Sequence, residues 1–287
     1  MSAFDFSTGA RQVFNMVDVA KKARQKTAEV VHVAVYVDAS APREVVGWAR
    51  DALVPERDSA LVDVELVPET GIVRVHSGST LAIVVAGGDS AVLRDLVAGF
   101  AEDGLPVAVV AVSELDAPDL EGRIPEDAQV ALIAATSEDA LRSKLASWIV
   151  TVLPEDLTLA SNFEFVRRAK ADQLISTCAT ENVLVGAVAI GSGAQMPIMT
   201  ANQARLALNL SSIYGTDVLA QQVPAVLGVA AGGYAYRGIS RLALKALPNL
   251  GPLVRAAIAF GGTVLTGKVL GFWMDRMRAE WGEPGEA

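Results

Sequence analysis

The chain is poor in sulfur and imidazole: 287 residues hold one cysteine, Cys178, and two histidines, His32 and His76. A lone thiol excludes an internal disulfide and fits a reducing compartment. So few donors leave a Cys/His zinc site unexpected, and no metal ligand is assigned. Positive charge is short as well. Against 33 Asp/Glu stand 24 Lys/Arg, and the net charge of −9 argues against a duplex nucleic-acid binder. Residues 1–6 are short and mixed, and no apolar core with a cleavage site follows, so no secretory signal is read. What the chain does have is apolar content, 52%, enough for a sizeable core in a length that suits two domains.

Charge divides the chain. Residues 31–160 carry 22 Asp/Glu against 8 Lys/Arg, a net of −14, whereas residues 161–274 carry 4 against 9, a net of +5. The acidic part alternates strand-like and helix-like segments. The basic part holds two uncharged stretches, 182–204 and 218–236, rich in Gly, Ala and Val. A soluble head joined to a helical tail that meets lipid or another apolar surface is the reading. Ahead of both, residues 9–29 read as an amphipathic helix with Val13, Phe14, Val17 and Ala20 on one side. Lys21, Lys22, Arg24 and Lys26 follow, so the helix either packs on the protein or lies on an anionic membrane surface.

In the head, residues 31–37 form a near-continuous apolar run, the mark of a buried strand. Pro42 opens a helix to Leu53. Residues 61–67 alternate Leu61, Asp63, Glu65 and Val67 with Val62, Val64 and Leu66, as a strand near a sheet edge does. Residues 72–75 make a shorter candidate strand, and 81–86, 106–112 and 129–134 repeat the buried-strand pattern. A helix over 90–102 buries Leu93, Leu96, Val97 and Phe100. Another follows a capping pair, Thr136 with Asp139, and presents Leu141, Leu145, Trp148, Ile149 and Val152. Alternating strands and helices imply a mostly parallel sheet covered on both faces.

This order of elements resembles a small GTPase domain, with its motifs eroded. Where that family has the phosphate loop G-x-x-x-x-G-K-[ST], this chain has Asp38-Ala39-Ser40-Ala41-Pro42-Arg43, without glycine or lysine. The D-x-x-G position falls near His76-Ser77-Gly78, with no magnesium-anchoring aspartate. The guanine-reading N-K-x-D aligns with Ser113-Glu114-Leu115-Asp116, keeping only Asp116. Ala134-Ala135-Thr136 and Leu153-Pro154 look like the family's last strand and domain end. The resemblance implies a pseudo-GTPase scaffold, since chemistry resides in site residues and not in the fold.

Other constellations are weaker. Gly87-Gly88-Asp89 follows a strand and opens a helix, so its N–H groups are a candidate anion cradle, with a tight turn capped by Asp or Ser as the plainer reading. Gly262-Thr263-Val264-Leu265-Thr266-Gly267-Lys268-Val269 nearly spells a phosphate loop. Val269 replaces the required hydroxyl, however, and the segment reads as helix with a snorkelling Lys268. His32 is read as a packed strand imidazole, and His76 has no acid–base partner close in sequence. Cys178 has Glu181 near it and no basic neighbour, which marks it as inert. No catalytic residue and no cofactor are assigned.

The tail begins with an amphipathic helix over 162–177 whose polar cluster is Arg167, Arg168 and Lys170. The uncharged stretches are long enough to span a bilayer but are broken by Gln221, Gln222, Pro197 and Pro224. A third apolar run, 256–267, continues past Lys268 to Trp273 and Met274. Arg237, Arg241 and Lys245 form one basic stripe suited to headgroups. Gly228 with Gly232, and Gly267 with Gly271, have the G-x-x-x-G spacing of close helix packing. Met196-Pro197, Gln203-Ala204-Arg205-Leu206, Ile213-Tyr214-Gly215 and Pro248-Asn249-Leu250-Gly251 together resemble domain-of-unknown-function family 697. Ala256, Ala257, Thr263 and Gly267 continue the pattern. Met199-Thr200 departs from it where members often carry an aspartate. The resemblance covers roughly residues 160–275. It implies a GTPase-associated, YcjF-like helical module near a membrane, and it transfers no catalytic residue.

The expected organisation is an N-terminal amphipathic helix (1–30), a GTPase-like α/β domain (31–157), a helical domain (158–275) and a polar tail (276–287). The expected function is a non-catalytic adaptor on the cytoplasmic side of a bacterial inner membrane, or in the cytoplasm. Its partners would be membrane lipid, partner helices or further copies of itself, with nucleic acid excluded. The alternatives are a divergent GTP hydrolase using Asp116, Gly87, Gly88 and Asp89, and a soluble oligomeric scaffold whose apolar tail faces pack on partner chains.

Overall fold

A computed structural model describes residues 29–70, 72–188, 195–215 and 251–281, together with Gln25 and Thr27. The N-terminal helix over 9–29, the stretch 218–236, the basic stripe Arg237, Arg241 and Lys245, and the pair Gly228 and Gly232 lie outside the described residues, apart from Gln25, Thr27 and Glu29. Two compact units divide between Lys170 and Ala171.

The first unit, Thr27–Lys170, is built on a five-stranded parallel sheet. Its strands are β1 (Val31–Asp38), β2 (Ala60–Val67), β3 (Leu81–Val85), β4 (Val107–Ala111) and β5 (Val130–Ala134), in the spatial order β2-β1-β3-β4-β5. The interior strands β3 and β4 are buried at every position, as apolar runs covered on both faces must be. Helices α1 (Arg43–Ala52) and α3 (Glu138–Val152) pack together against one face. Helix α2 (Ala91–Glu102) covers the other, setting Leu93, Leu96, Val97 and Phe100 among Ala34, Tyr36, Ala82, Val84, Val107 and Val109. These four are the positions that the helical spacing marks in the sequence.

Three local expectations need correction. Residues 72–75 form no strand: they run irregularly outside the five-stranded sheet, with Ile72 97% exposed and so without the packing that would hold it there. The β5 run is only half-buried, with Leu132 exposed, because it is the far edge of the sheet. The cap of α3 is Ser137, whose Oγ accepts from Ala140 N at 3.3 Å, one residue beyond the expected Thr136.

A short helix α4 (Thr158–Asn162) leads into the long α5 (Glu164–Val188). The polar cluster expected at its start is partly interior. Arg167 and Lys170 are buried, Arg167 paired with Glu56 and Lys170 donating to the Pro154 carbonyl. Long stems and satisfied tips let such cations replace apolar residues in packing.

The second unit contains the rest of α5, then α6 (Gln195–Tyr214) and α7 (Gly251–Trp281). The 262–269 segment is helix, as read, and Lys268 pairs there with Asp172. Gly267 lets α7 approach α5 closely, since a Cβ there would lie 2.6 Å from Ile175 Cγ1. Gly271 faces the Tyr214 hydroxyl at 3.8 Å from such a Cβ. A buried polar seam ties the three helices. Asn182 donates to Thr263 Oγ1 at 2.9 Å and accepts from Asn202 Nδ2 at 3.1 Å, and Thr263 donates back to its own helix at the Ala259 carbonyl. The chain is thus mixed α/β with a helical C-terminal part.

Candidate functional site

In open α/β sheets, ligands bind beyond the carboxyl ends of the strands, where neighbouring connections leave to opposite faces. Here that switch point lies between β1 and β3, at Asp38 and Gly87. It is filled by the protein itself. Asp38 is 6% exposed, and its carboxylate accepts from Ser40 Oγ at 2.6 Å, Gly87 N at 3.2 Å and Ser40 N at 3.4 Å. The remaining loop donors are also spent. Ala39 N donates to the Val67 carbonyl and Ala41 N to the Asp38 carbonyl, while Pro42, the N-cap of α1, has no N–H.

Gly87 is a glycine because of this closure. Its φ is not positive, so no turn demands it, but a Cβ would lie 2.3 Å from the Ser40 carbonyl oxygen and 2.5 Å from Ala41 N. Cap duty falls to Ser90, whose Oγ accepts from Leu93 N. Asp89 instead accepts from Asp119 N at 3.0 Å and lies 3.5 Å from Arg94 Nε. Asp116 is likewise spent locally, accepting from Ser113 Oγ at 2.8 Å and Ser113 N at 3.2 Å. Between these groups a groove of about 570 Å³ opens over β4, lined by Asp89, Glu114 and Asp119 with Leu115, Leu120 and Leu132. Three acids and no cation make it a poor seat for polyphosphate.

A second constellation lies on the α2-side face of the sheet, beside the helix. The register sets Ala34 opposite Asp63 and Tyr36 opposite Glu65, so His32, Asp63 and Glu65 share that face. The β2–β3 crossover, 68–80, contains no helix among its described residues and brings His76 over them. His32 Nε2 and Asp63 Oδ2 are in direct contact, His76 Nδ1 lies 3.5 Å from Asp63 Oδ2, and His76 Nε2 lies 3.8 Å from Glu65 Oε2. Both histidine side chains are 20% exposed and Asp63 is 46% exposed. His76 is fixed by its N–H to the Tyr36 hydroxyl at 3.1 Å and by Ser79 Oγ to its carbonyl at 3.0 Å. Burial is the main cause holding the Tyr36 phenol above its usual range.

Reading along the chain missed this cluster, because its members stand 31 residues apart for His32 and Asp63 and come together only by parallel pairing. The available signal was the polarity of β2. Its acids Asp63 and Glu65 alternate with Val64 and Leu66, and it is the latter two that are exposed.

In the tail, Cys178 is buried, and burial, followed by the nearby Glu181 carboxylate, pushes its thiol to about 12. It forms no nucleophile at neutral pH. Among the described residues one helical segment, Ala256–Arg278 of α7, is long and apolar enough by length and composition to cross a membrane. Phe260, Leu265, Val269, Phe272 and Trp273 on it are exposed. Lys268 stands near its middle, paired with Asp172. No family model, curated protein or solved structure matches the chain.

Proposed function

We propose that the chain is a non-catalytic adaptor: a GTPase-like head that has lost its polyphosphate grip, followed by a membrane-associated tail akin to domain-of-unknown-function family 697. One observation carries the first half. Every backbone N–H from Ala39 to Ala41 is already bonded within the protein, and the Asp38 carboxylate takes up the donors of Ser40 and Gly87. A phosphate loop works by leaving such N–H groups free to converge on an anion. A nucleotide would have to displace a buried carboxylate and then face Asp89, Glu114 and Asp119.

The exposed apolar side chains of α7 support the second half. The Lys268–Asp172 pair favours attachment at the bilayer surface over a transverse passage, because a central lysine costs about 2.5–3.5 kcal/mol in a spanning helix. The working site is then the cytoplasmic face of a bacterial inner membrane. Flotation of the full chain with anionic liposomes tests this half. Co-flotation that high salt weakens is expected; recovery as a soluble, monodisperse species would instead assign the apolar faces to partner chains. Calorimetry with GTP tests the first half. No heat is expected at millimolar ligand, where even a constant worth ~4 kcal/mol would register. Binding there would restore the hydrolase reading.

A further inference from the structure

The histidine cluster of the head is not used by the adaptor reading, and its geometry is that of a metal site. All of the histidine in a 287-residue chain is gathered here. His32 is tied to the end of the crossover that carries His76, since Thr80 N donates to the His32 carbonyl at 2.7 Å and His32 N donates to Thr80 Oγ1 at 3.1 Å. With Asp63 carried by the neighbouring strand, one donor atom from each of His32, Asp63 and His76 lies within 4.8 Å of the others.

We propose that His32 Nε2, Asp63 Oδ2 and His76 Nδ1 ligate a divalent first-row transition ion, with Glu65 as an outer carboxylate. Donor chemistry selects this class. Two imidazoles with a carboxylate suit zinc, cobalt, nickel or iron, whereas calcium and magnesium take oxygen ligands. Spacing agrees as well. Donors bonded at about 2.1 Å around a tetrahedral ion stand roughly 3.4 Å apart, and His76 Nδ1 stands 3.5 Å from Asp63 Oδ2. His32 Nε2 and Asp63 Oδ2, in direct contact here, would part to about that spacing to admit the ion.

The orphaned atom of the cluster points the same way. His76 Nε2 is buried without a hydrogen-bond partner, and Glu65 Oε2 is 3.8 Å from it. Once Nδ1 binds the ion, the ring proton resides on Nε2 and faces that carboxylate. A carboxylate behind a ligating histidine fixes its tautomer and orientation. Asp63 is the most exposed of the three ligands, so the ion enters past it and retains water on that side. The bound ion would pin the helix-free crossover to β1 and β2.

The experiment uses the full chain, stripped with a chelator and titrated with Zn(II) by calorimetry and with Co(II) by absorption. One equivalent is expected to bind, with Co(II) bands of a low-coordinate nitrogen–oxygen site and a rise in melting temperature. His32→Gln and His76→Gln should each weaken Zn(II) by more than the 10–100-fold typical of an outer partner, and Glu65→Gln should fall within that range. Asp63→Asn guards against misfolding of the histidine variants, because its side chain is half exposed. Absence of binding to the native chain overturns the proposal. So does unchanged affinity in a folded His32→Gln/His76→Gln variant or in Asp63→Asn. Neither result bears on nucleotide binding or flotation.

Discussion

Asp38 and Asp63 lie on adjacent strands of one sheet and have opposite fates. Asp38, at the end of β1, is enclosed, and three donors from Ser40 and Gly87 converge on it. Asp63, within β2, is half open and faces two imidazoles, of which that of His76 leaves Nε2 without a hydrogen-bond partner. A buried carboxylate with every neighbour committed is part of the scaffold, because exchanging any partner leaves a desolvated group unpaired. A half-open one beside unpaired nitrogen is available for a ligand. The place where α/β sheets usually bind ligands is thus the closed one here, and the open polar cluster lies instead beneath the β2–β3 crossover.

The comparison breaks most readily at Gly87. Gly87→Ala puts a methyl 2.3 Å from the Ser40 carbonyl oxygen, a backbone atom that cannot rotate away. Overpacking against backbone should cost about 3 kcal/mol, the upper end of the usual range, read as a lower urea midpoint at unchanged slope. A variant of native stability would mean that the loop has room to open, and the crevice would return as a candidate ligand site.

Asp38→Asn comes next. The amide keeps the shape but turns one acceptor into a donor facing either the N–H of Ser40, or Ser40 Oγ and the N–H of Gly87 together. The expected loss is about 2–3 kcal/mol, the penalty of unsatisfied buried groups. A loss under about 1 kcal/mol would show that the carboxylate is not a structural anchor.

The tail offers a second closed polar site for calibration. Asn182 is fully buried between Thr263 and Asn202. Asn182→Ala should cost about 1–2 kcal/mol, less than Asp38→Asn because Thr263 keeps its bond to the Ala259 carbonyl. Thermal melts of the full chain measure it, and an unchanged melting temperature would remove the seam from the account of how α5, α6 and α7 hold together.

How far the sequence reaches follows from the same physics. The apolar runs of β1, β3 and β4 and the spacing of Leu93, Leu96, Val97 and Phe100 are local patterns, and each marks the element that forms. The 72–75 run has the local pattern of a strand, but it pairs with neither edge strand of the sheet, and pairing is a property of the whole topology. Arg167 and Lys170 read only as a polar cluster because the sequence does not display Glu56 and the Pro154 carbonyl that receive them. The histidine cluster was hidden for the same reason. Gly87 was visible as a glycine, but the Ser40–Ala41 peptide lying against it was not.

The smallest effect is the one that sharpens the contrast. Asp63→Asn, measured without added metal, leaves an oxygen to accept from His32 and removes a charge that is 46% exposed. Exposed charge interactions contribute little after solvent screening, so stability should change by less than about 0.5 kcal/mol. Set beside Asp38→Asn, the same chemical change two strand positions beyond Tyr36 would then cost several times more. If the two substitutions prove equally costly in urea denaturation, Asp63 is a scaffold residue like Asp38. The half-open cluster would then be held for folding and not kept for an ion. If Asp63→Asn is instead near neutral, the carboxylate contributes little that the fold requires, and its position between two imidazoles needs a ligand to account for it.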